Sequence, residues 1–387
     1  MAAKMASEKI ENYLIKTRRT FHQYPELSFE EFETSKRIEG ELKKMGITPI
    51  RIAKTGLIAD IKGKSGGKTV AIRADIDALP VTEENTFDYK SKRAGVMHAC
   101  GHDSHITMAL GAAKLLSADR EFKGTVRMLF QPAEESPPGG AKEMIREGAI
   151  EGVDYIIGQH VASEVPAGKV GIYYGPMMAN ADEIKVKLEG VGGHGAAPHE
   201  TTDALLLACE FVVQAQTIVS RRVPPFNPAV VTFGTLHSGY RYNIIAKYAE
   251  LTGTVRTFDK ETQDLVRKEL KKILDGLSRA TRCKYDFSYI NGYPATINNE
   301  GVSKVVEEVA SEVLGREGIL HPNPSMGGED FAYYLQKIPG AYYFLGIGNK
   351  ERGIVSPEHS STHKIDESVL KYGTEILLRS AKKLLSQ

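Results

Sequence analysis

The 387-residue chain has no tryptophan, only three cysteines, and no surplus of either charge. Lys and Arg total 50 against 49 Asp and Glu, for a formal net charge of +1. That balance removes the electrostatic reason to expect a nucleic acid or an anionic membrane as partner. Cys100, Cys209 and Cys283 are odd in number and far apart, with no CxxC pair. This argues against a disulfide framework and fits a reducing, cytoplasmic setting. Cys209 in an apolar helical run and Cys283 at the start of a strand-like run are expected to be packing residues. No unbroken run of about eighteen apolar residues exists, so no membrane span is expected. The N-terminal stretch carries a charge every few residues and lacks the apolar centre of a secretory signal. What is present is ordinary for a globular chain, 41 % hydrophobic and 26 % charged. The length exceeds what one core holds, so two domains are expected.

Residues 8–45 read as two amphipathic helices separated by "YPELS", with Pro25 as the stop and Ser28 as the cap. Strand-like runs at 57–63, 69–75, 125–131 and 153–160 alternate with helical patterns at 104–118 and 139–148. That alternation predicts an α/β domain with a mainly parallel sheet and active groups at the carboxyl ends of its strands. From 182 the character changes. "DEIKVKLEG" alternates in period two, and the elements to 291 follow the order β-α-β-β-α-β. This predicts an inserted ferredoxin-like α+β domain at 182–291, with 1–181 and 292–387 forming the other domain.

The stretch "GVMHACGHDSH" (95–105) concentrates metal-capable side chains. Cys100 and His102 stand at i and i+2, which on extended chain puts both on one face. The loop precedes a helix, where a thiolate is favoured. Glu134 and Glu135 follow an apolar strand in "LFQPAEE". Adjacent carboxylates there are expected to diverge, one towards a metal and one towards the reaction space. His160 closes "IIGQH", His359 and His363 lie in "SPEHSSTH", and Asp75 and Asp77 end "AIRADID". A two-metal hydrolytic site is the best joint explanation of ligand-type groups gathered at the ends of one sheet.

Together "RRTFHQYPELSFEE", "RADIDALP", "MHACGHDSH", "FQPAEE", "GGHGAAPH" and "GGEDFAYY" resemble the M20 metallopeptidase family, from about residue 17 to 370. More narrowly, they resemble its aminoacylase, carboxypeptidase, hippurate-hydrolase and auxin-conjugate amidohydrolase branch. The resemblance implies a zinc-peptidase-like catalytic domain with an inserted lid and dimerisation domain. It implies metal ligands at Cys100, which takes the bridging place, and at His102, Glu135, His160 and His359. Glu134 matches the general acid/base, and Asp77 the aspartate that orients a ligand from behind. His98 and His105 are expected to be local structural residues rather than ligands. In the inserted domain, His194 resembles the lid histidine that steadies the oxyanion across a dimer. Asn243 and Arg256 match lid positions. Gly327 and Gly328 allow backbone amides to approach a ligand carboxylate, with Glu329 and Asp330 behind them or at a helix start. The sequence departs from the family at "HSSTH", where "HxPxF" is usual, so His363 replaces an aromatic residue. "RYNIIA" also lacks a proline that the family often carries.

The implied reaction is hydrolysis of the amide bond of an N-acyl amino acid or of a short peptide with a free carboxylate. It would need two divalent ions, zinc first and then manganese, cobalt or nickel, in a homodimer or homotetramer. The rival readings are a catalytically silent metal-binding protein on the same scaffold, a redox module built on Cys100, and a Cys–His nucleophilic hydrolase. The last leaves Glu134, Glu135, His160 and His359 without a role.

Overall fold

The computed structural model describes residues 2–387, with side chains from residue 8 onward. The chain forms two compact units. The larger holds the chain up to Met177, Ile297–Pro324 and Asp330–Gln387, and the smaller holds Met178–Thr296 and Ser325–Glu329. The smaller unit reclaims five residues from beyond the expected insertion. The reason is local pairing: Ala179 N–H donates to the Ser325 carbonyl at 3.0 Å.

The larger unit is built on a sheet ordered Ile50–Ile52, Gly56–Lys62, Lys123–Gln131, Ser65–Asp75, Tyr155–Pro166, Gly340–Gly348, Val170–Gly171 and Ile319–Leu320. Strand Ser65–Asp75 runs parallel to both neighbours, and Tyr155–Pro166 is parallel to Gly340–Gly348. Four central strands therefore end at one edge. The outer Gly56–Lys62 and Val170–Gly171 pair antiparallel. Central strands are covered on both faces and read as apolar runs. "GAYYFLGI" is buried from Gly340 to Ile347. Helices His102–Ala118 and Leu370–Leu385 supply the apolar cover, burying Ile106, Met108, Leu110, Ile376, Leu377 and Leu384.

The smaller unit is a four-stranded antiparallel sheet ordered Ala229–Ser238, Tyr248–Thr257, Ala181–Glu189, Lys284–Tyr293. With helices Ala204–Arg221 and Lys260–Thr281 between strands, this is the ferredoxin-like arrangement. The period-two pattern is realised directly. Ile184, Val186 and Leu188 are buried, while Lys185 and Lys187 are exposed. Asp203 caps the first helix, its side chain accepting from the Leu205 and Leu206 amides.

Two local expectations do not hold. Ser28 is not a helix cap, because its hydroxyl donates to Asp77 at 2.7 Å and helix Phe32–Lys44 begins after Glu31. Cys209 is exposed. It shares an outward apolar stripe with Leu205 and Val213, since positions four apart fall on one helical face. Helix Ala204–Arg221 is also apolar enough, by length and composition, to cross a membrane, with a mean hydropathy of 1.3. One such helix is weak evidence, and its inner face packs Leu207, Phe211, Ala215 and Ile218 into the unit's own core.

Phe211 is fully buried there and stacks edge-on to Phe233 at 5.3 Å between centroids. Phe211→Ala is expected to destabilise the smaller unit by about 3–5 kcal/mol, measured by urea denaturation. A loss below about 1 kcal/mol would show that this core closes over the missing ring.

Candidate metal centre

The carboxyl edge of the large sheet carries the candidate site. Strand Ser65–Asp75 delivers Asp75 and, just beyond it, Asp77. Strand Lys123–Gln131 leads into the turn bearing Glu134 and Glu135. His160 lies past Gly158, the last residue that Tyr155–Pro166 pairs with Ser65–Asp75, although its own strand continues to Pro166. Cys100 and His102 flank Gly101, which has φ 82° and starts helix His102–Ala118. The two side chains converge through this left-handed turn and not through an extended segment. A Cβ at Gly101 would stand 2.3 Å from Val161 Cγ2, so only glycine fits the turn. The Glu134–Glu135 turn likewise brings both carboxylates towards His102, against the expected divergence.

Among the sets of ligand atoms that lie within 4.8 Å of one another, two contain Cys100: one with His102 and His160, and one with Glu135 and His359. Cys100 belongs to both. Its Sγ lies 3.3 Å from His160 Nε2, and His359 Nε2 lies 3.1 Å from Glu135 Oε1. His102 Nε2 is buried and has no hydrogen-bond partner among the described residues, 4.0 Å from Glu135 Oε1. A buried nitrogen without a partner is costly unless something completes it.

The local field favours a cation. Burial alone would lower the pKa of His102, yet Asp75, Asp77 and Glu135 push it up to about 10. Burial together with Glu135 and Glu134 pushes the Cys100 thiol well up, so the protein alone disfavours the thiolate expected at a helix start. Positive charge is favoured on the imidazole and negative charge resisted on the sulfur. A divalent ion among these groups satisfies both tendencies and displaces their protons. Thiolate, imidazole and carboxylate make a donor set suited to such an ion.

A second layer of contacts fixes these groups. His102 Nδ1 lies 3.0 Å from the Asp77 carbonyl and 3.3 Å from its Oδ1. Asp77 Oδ2 accepts from Ser28 and from the Glu135 amide at 3.0 Å. The Val161 amide donates to His105 Nε2 at 2.9 Å, which leaves the proton on Nδ1, 2.6 Å from Asp75 Oδ1. Both nitrogens of His105 are thus used structurally. Asp75 also takes Arg73 at 2.6 Å. Burial would raise Asp75, but His102, His105 and Arg73 hold it well below the usual carboxylate range. Asp330 accepts from Arg73, Gln131 and the Ala141 amide, so it is a structural brace.

Beneath the helix start, Arg18 Nε donates to Asp103 at 2.9 Å and His22 Nδ1 lies 2.8 Å from the same oxygen. The sequence offered no candidate role for Arg18, His22 or Asp103, while Asp75, expected among the ligand-type groups, is instead paired with Arg73 and His105. Arg18 and His22 carried one usable signal, since charged residues four apart share a face of a helix that is otherwise packed.

In the smaller unit, strand Gly193–His194 pairs with Ile244–Ile245, and Gly195 N–H donates to the Asn243 carbonyl at 2.9 Å. His194 and Asn243 are therefore neighbours. His194 Nδ1 accepts the Ala196 amide at 3.0 Å, so the neutral ring carries its proton on the exposed Nε2. Arg256 approaches Gly328, where an added Cβ would stand 3.4 Å from its Nη1. Gly327 N–H donates to Ser325 Oγ at 3.1 Å.

Residues 71–383 match Peptidase family M20/M25/M40. The chain is 41 % identical over 372 residues to thermostable carboxypeptidase 1 of Saccharolobus solfataricus, covering 94 % of this chain and 93 % of that one. It is 42 % identical over 378 residues to N-acetyl-L-cysteine deacetylase of Bacillus subtilis, covering 97 % and 89 %. The crystal structure of the Bacillus subtilis YXEP protein, described as a dinuclear metal-binding peptidase from the M20 family, superposes with a TM-score of 0.86 at 34 % identity. It covers 98 % of this chain and 99 % of that one.

His363 is buried beside this site, and neither ring nitrogen has a hydrogen-bond partner among the described residues. Burial lowers its pKa to about 4. The unfolded chain binds that proton below about 6.5 and the folded chain only below about 4, so stability falls as pH drops through that window. His363→Phe is expected to make the fall shallower by up to about 1.4 kcal/mol per pH unit, with no change in slope above pH 7. Urea denaturation across the pH series measures this. An unchanged slope would mean that His363 is already charged in the fold.

Proposed function

The chain belongs to peptidase family M20/M25/M40 and is a hydrolase. On that premise we propose that it is a metal-dependent amidohydrolase acting on N-acyl amino acids or short peptides with a free carboxylate. The observation that carries this reading is Cys100, common to two ligand sets that meet beside Glu134. One divalent ion would be held by Cys100, His102 and His160, and a second by Cys100, Glu135 and His359. The thiolate and imidazole donors favour zinc; manganese, cobalt or nickel are the alternatives the family resemblance brings. Bound ions supply Lewis acidity and bring the pKa of a water towards neutrality.

Each remaining role falls to a side chain of this protein. Glu134, mostly buried at 7 % exposure, takes the proton of the attacking water and returns it to the leaving amine nitrogen. Water thus adds across the carbon–nitrogen bond, giving a carboxylic acid and an amine. Asp77 holds His102 and the Glu135 amide in place. Across a dimer, His194 would present Nε2–H, with Asn243 beside it, to the oxygen that gains charge as a carbonyl bound by the partner subunit is attacked. Burial lowers the pKa of Arg256, and a poorly solvated guanidinium is a strong partner for a substrate carboxylate. The Gly328 amide, beside Arg256, adds a donor to that end, while the Gly327 amide is held by Ser325. The outward stripe of Leu205, Cys209 and Val213 favours cover by a second copy, hence a homodimer or homotetramer.

The deciding experiment counts metal per chain and assays amine release from N-acetyl, N-benzoyl and dipeptide substrates, before and after chelation. Two equivalents with chelator-sensitive release support the reading, and metal-independent release would refute it. Glu134→Gln is expected to lower kcat about 10²–10⁴-fold while metal content stays constant; full activity in that variant would remove Glu134 from its role. Arg256→Met is expected to raise KM roughly ten- to a hundredfold for free carboxylates and little for their amides. An equal rise for both would place the carboxylate elsewhere.

A further inference from the structure

We propose that Glu31 is the positioning residue for Glu134: its carboxylate grips the Ala133 amide and so fixes the backbone turn from which Glu134 projects. The inference rests on the reading of Glu134 as proton carrier.

Glu31 is fully buried, at 0 % exposure. It occupies the cap position of helix Phe32–Lys44, where an acidic side chain ordinarily turns back onto its own helix. Here it makes no such bond. It crosses instead to two other segments, Oε1 accepting the Ala133 N–H at 2.9 Å and Oε2 accepting the Thr55 hydroxyl at 2.6 Å. Ala133 has φ 53°, a left-handed conformation that a residue with a β-carbon adopts only when its surroundings impose it. Its carbonyl is engaged as well, accepting the Gly140 amide at 3.1 Å. On the other side of Glu134, the Glu135 amide ends on Asp77 Oδ2 at 3.0 Å. The two amides flanking the proton carrier are therefore each tied to a buried carboxylate from a different element. Asp77 is braced in turn by Ser28, three residues before Glu31.

The arrangement is costly. Burial and the nearby Asp77 push the Glu31 carboxyl up to about 7. An apolar side chain would fill the volume without that penalty, but it has no acceptor for the Ala133 amide. Strain at Ala133 and buried charge at Glu31 thus coincide one residue from the reacting group, where stored constraint serves orientation. The "PELSFEE" motif gains a purpose: it is the rear brace of the turn carrying Glu134.

The test compares Glu31→Ala, Glu31→Asp and Glu31→Gln in the metal-loaded enzyme, with Glu134→Gln in parallel. Asp keeps the buried charge but is one methylene too short to reach the Ala133 amide. Gln keeps both the length and an acceptor oxygen. Ala and Asp are expected to lower kcat roughly 10- to 100-fold, with KM within about twofold and metal content equal to wild type. Gln is expected to recover kcat to within about threefold of wild type. If Ala fails to fold, the Asp–Gln contrast still decides. Wild-type kcat in Asp, or loss of metal and a Gln variant no better than Asp, would overturn the positioning role. Full activity in Glu134→Gln would instead remove the reading on which it rests, a separate result.

Discussion

Buried negative charge at the end of strand Ser65–Asp75 is the constraint around which the larger unit is organised. Asp75 and Asp77 are fully enclosed, and Glu135 and Glu134 approach the same space. Carboxylates out of water are tolerated only when paired or ligated. The fold pairs the rear of this cluster with protein donors: Arg73, His105, Ser28 and the Glu135 amide. At the front it leaves His102 Nε2 without a partner among the described residues and raises the pKa of the Cys100 thiol. One cluster is satisfied behind and unsatisfied in front, which is how a protein holds a cation without filling the place itself.

The N-terminal helix and the loop after it serve that rear face. Arg18 and His22 converge on Asp103, one residue after His102. Burial would raise Asp103, but Arg18 and His22 hold it well below the usual carboxylate range. A charge pair this enclosed contributes little net stability, because desolvation offsets the attraction. Its effect is to allow one orientation of the helix start that carries His102. Glu26, Ser28 and Glu31 extend the same service to the neighbouring loops: Glu26 accepts from Thr34, Ser28 donates to Asp77, and Glu31 takes the Ala133 amide. A loop with no candidate ligand of its own thus touches Asp77, the support of His102 and Glu135.

The smaller unit needs a different economy. Its sheet buries one face against two helices; His194, Asn243 and Gly328 lie in or beside turns, and Arg256 near the end of strand Tyr248–Thr257. His194 and Asn243 are joined through a two-residue ladder, and Arg256 and Gly328 through close packing. Loops on a regular scaffold are where binding groups tolerate exposure. The exposed His194 ring, with Nδ1 occupied by the Ala196 amide, is a donor whose direction is set by its own turn.

Sequence alone determined the features that depend on local pattern. Alternating strands and helices predicted the parallel sheet, and strict period two in "DEIKVKLEG" predicted the one-faced strand of the inserted unit. Both follow because periodicity records which face is buried. The motifs around Cys100, Glu134, His160 and His359 pointed to a two-metal site, because these side chains share one kind of chemistry. Only the tertiary structure decided how they meet. Cys100 and His102 converge through a left-handed glycine, and both glutamates reach one space through a turn. Backbone dihedrals at such single residues leave little trace in composition. The same holds for Ser28, His105 and Glu31. Each looks locally like a cap, a spare imidazole or a helix-start charge, and each is committed to a partner dozens of residues away. Long-range hydrogen bonds of buried polar groups satisfy an accounting that spans the whole fold, so no window of sequence contains it.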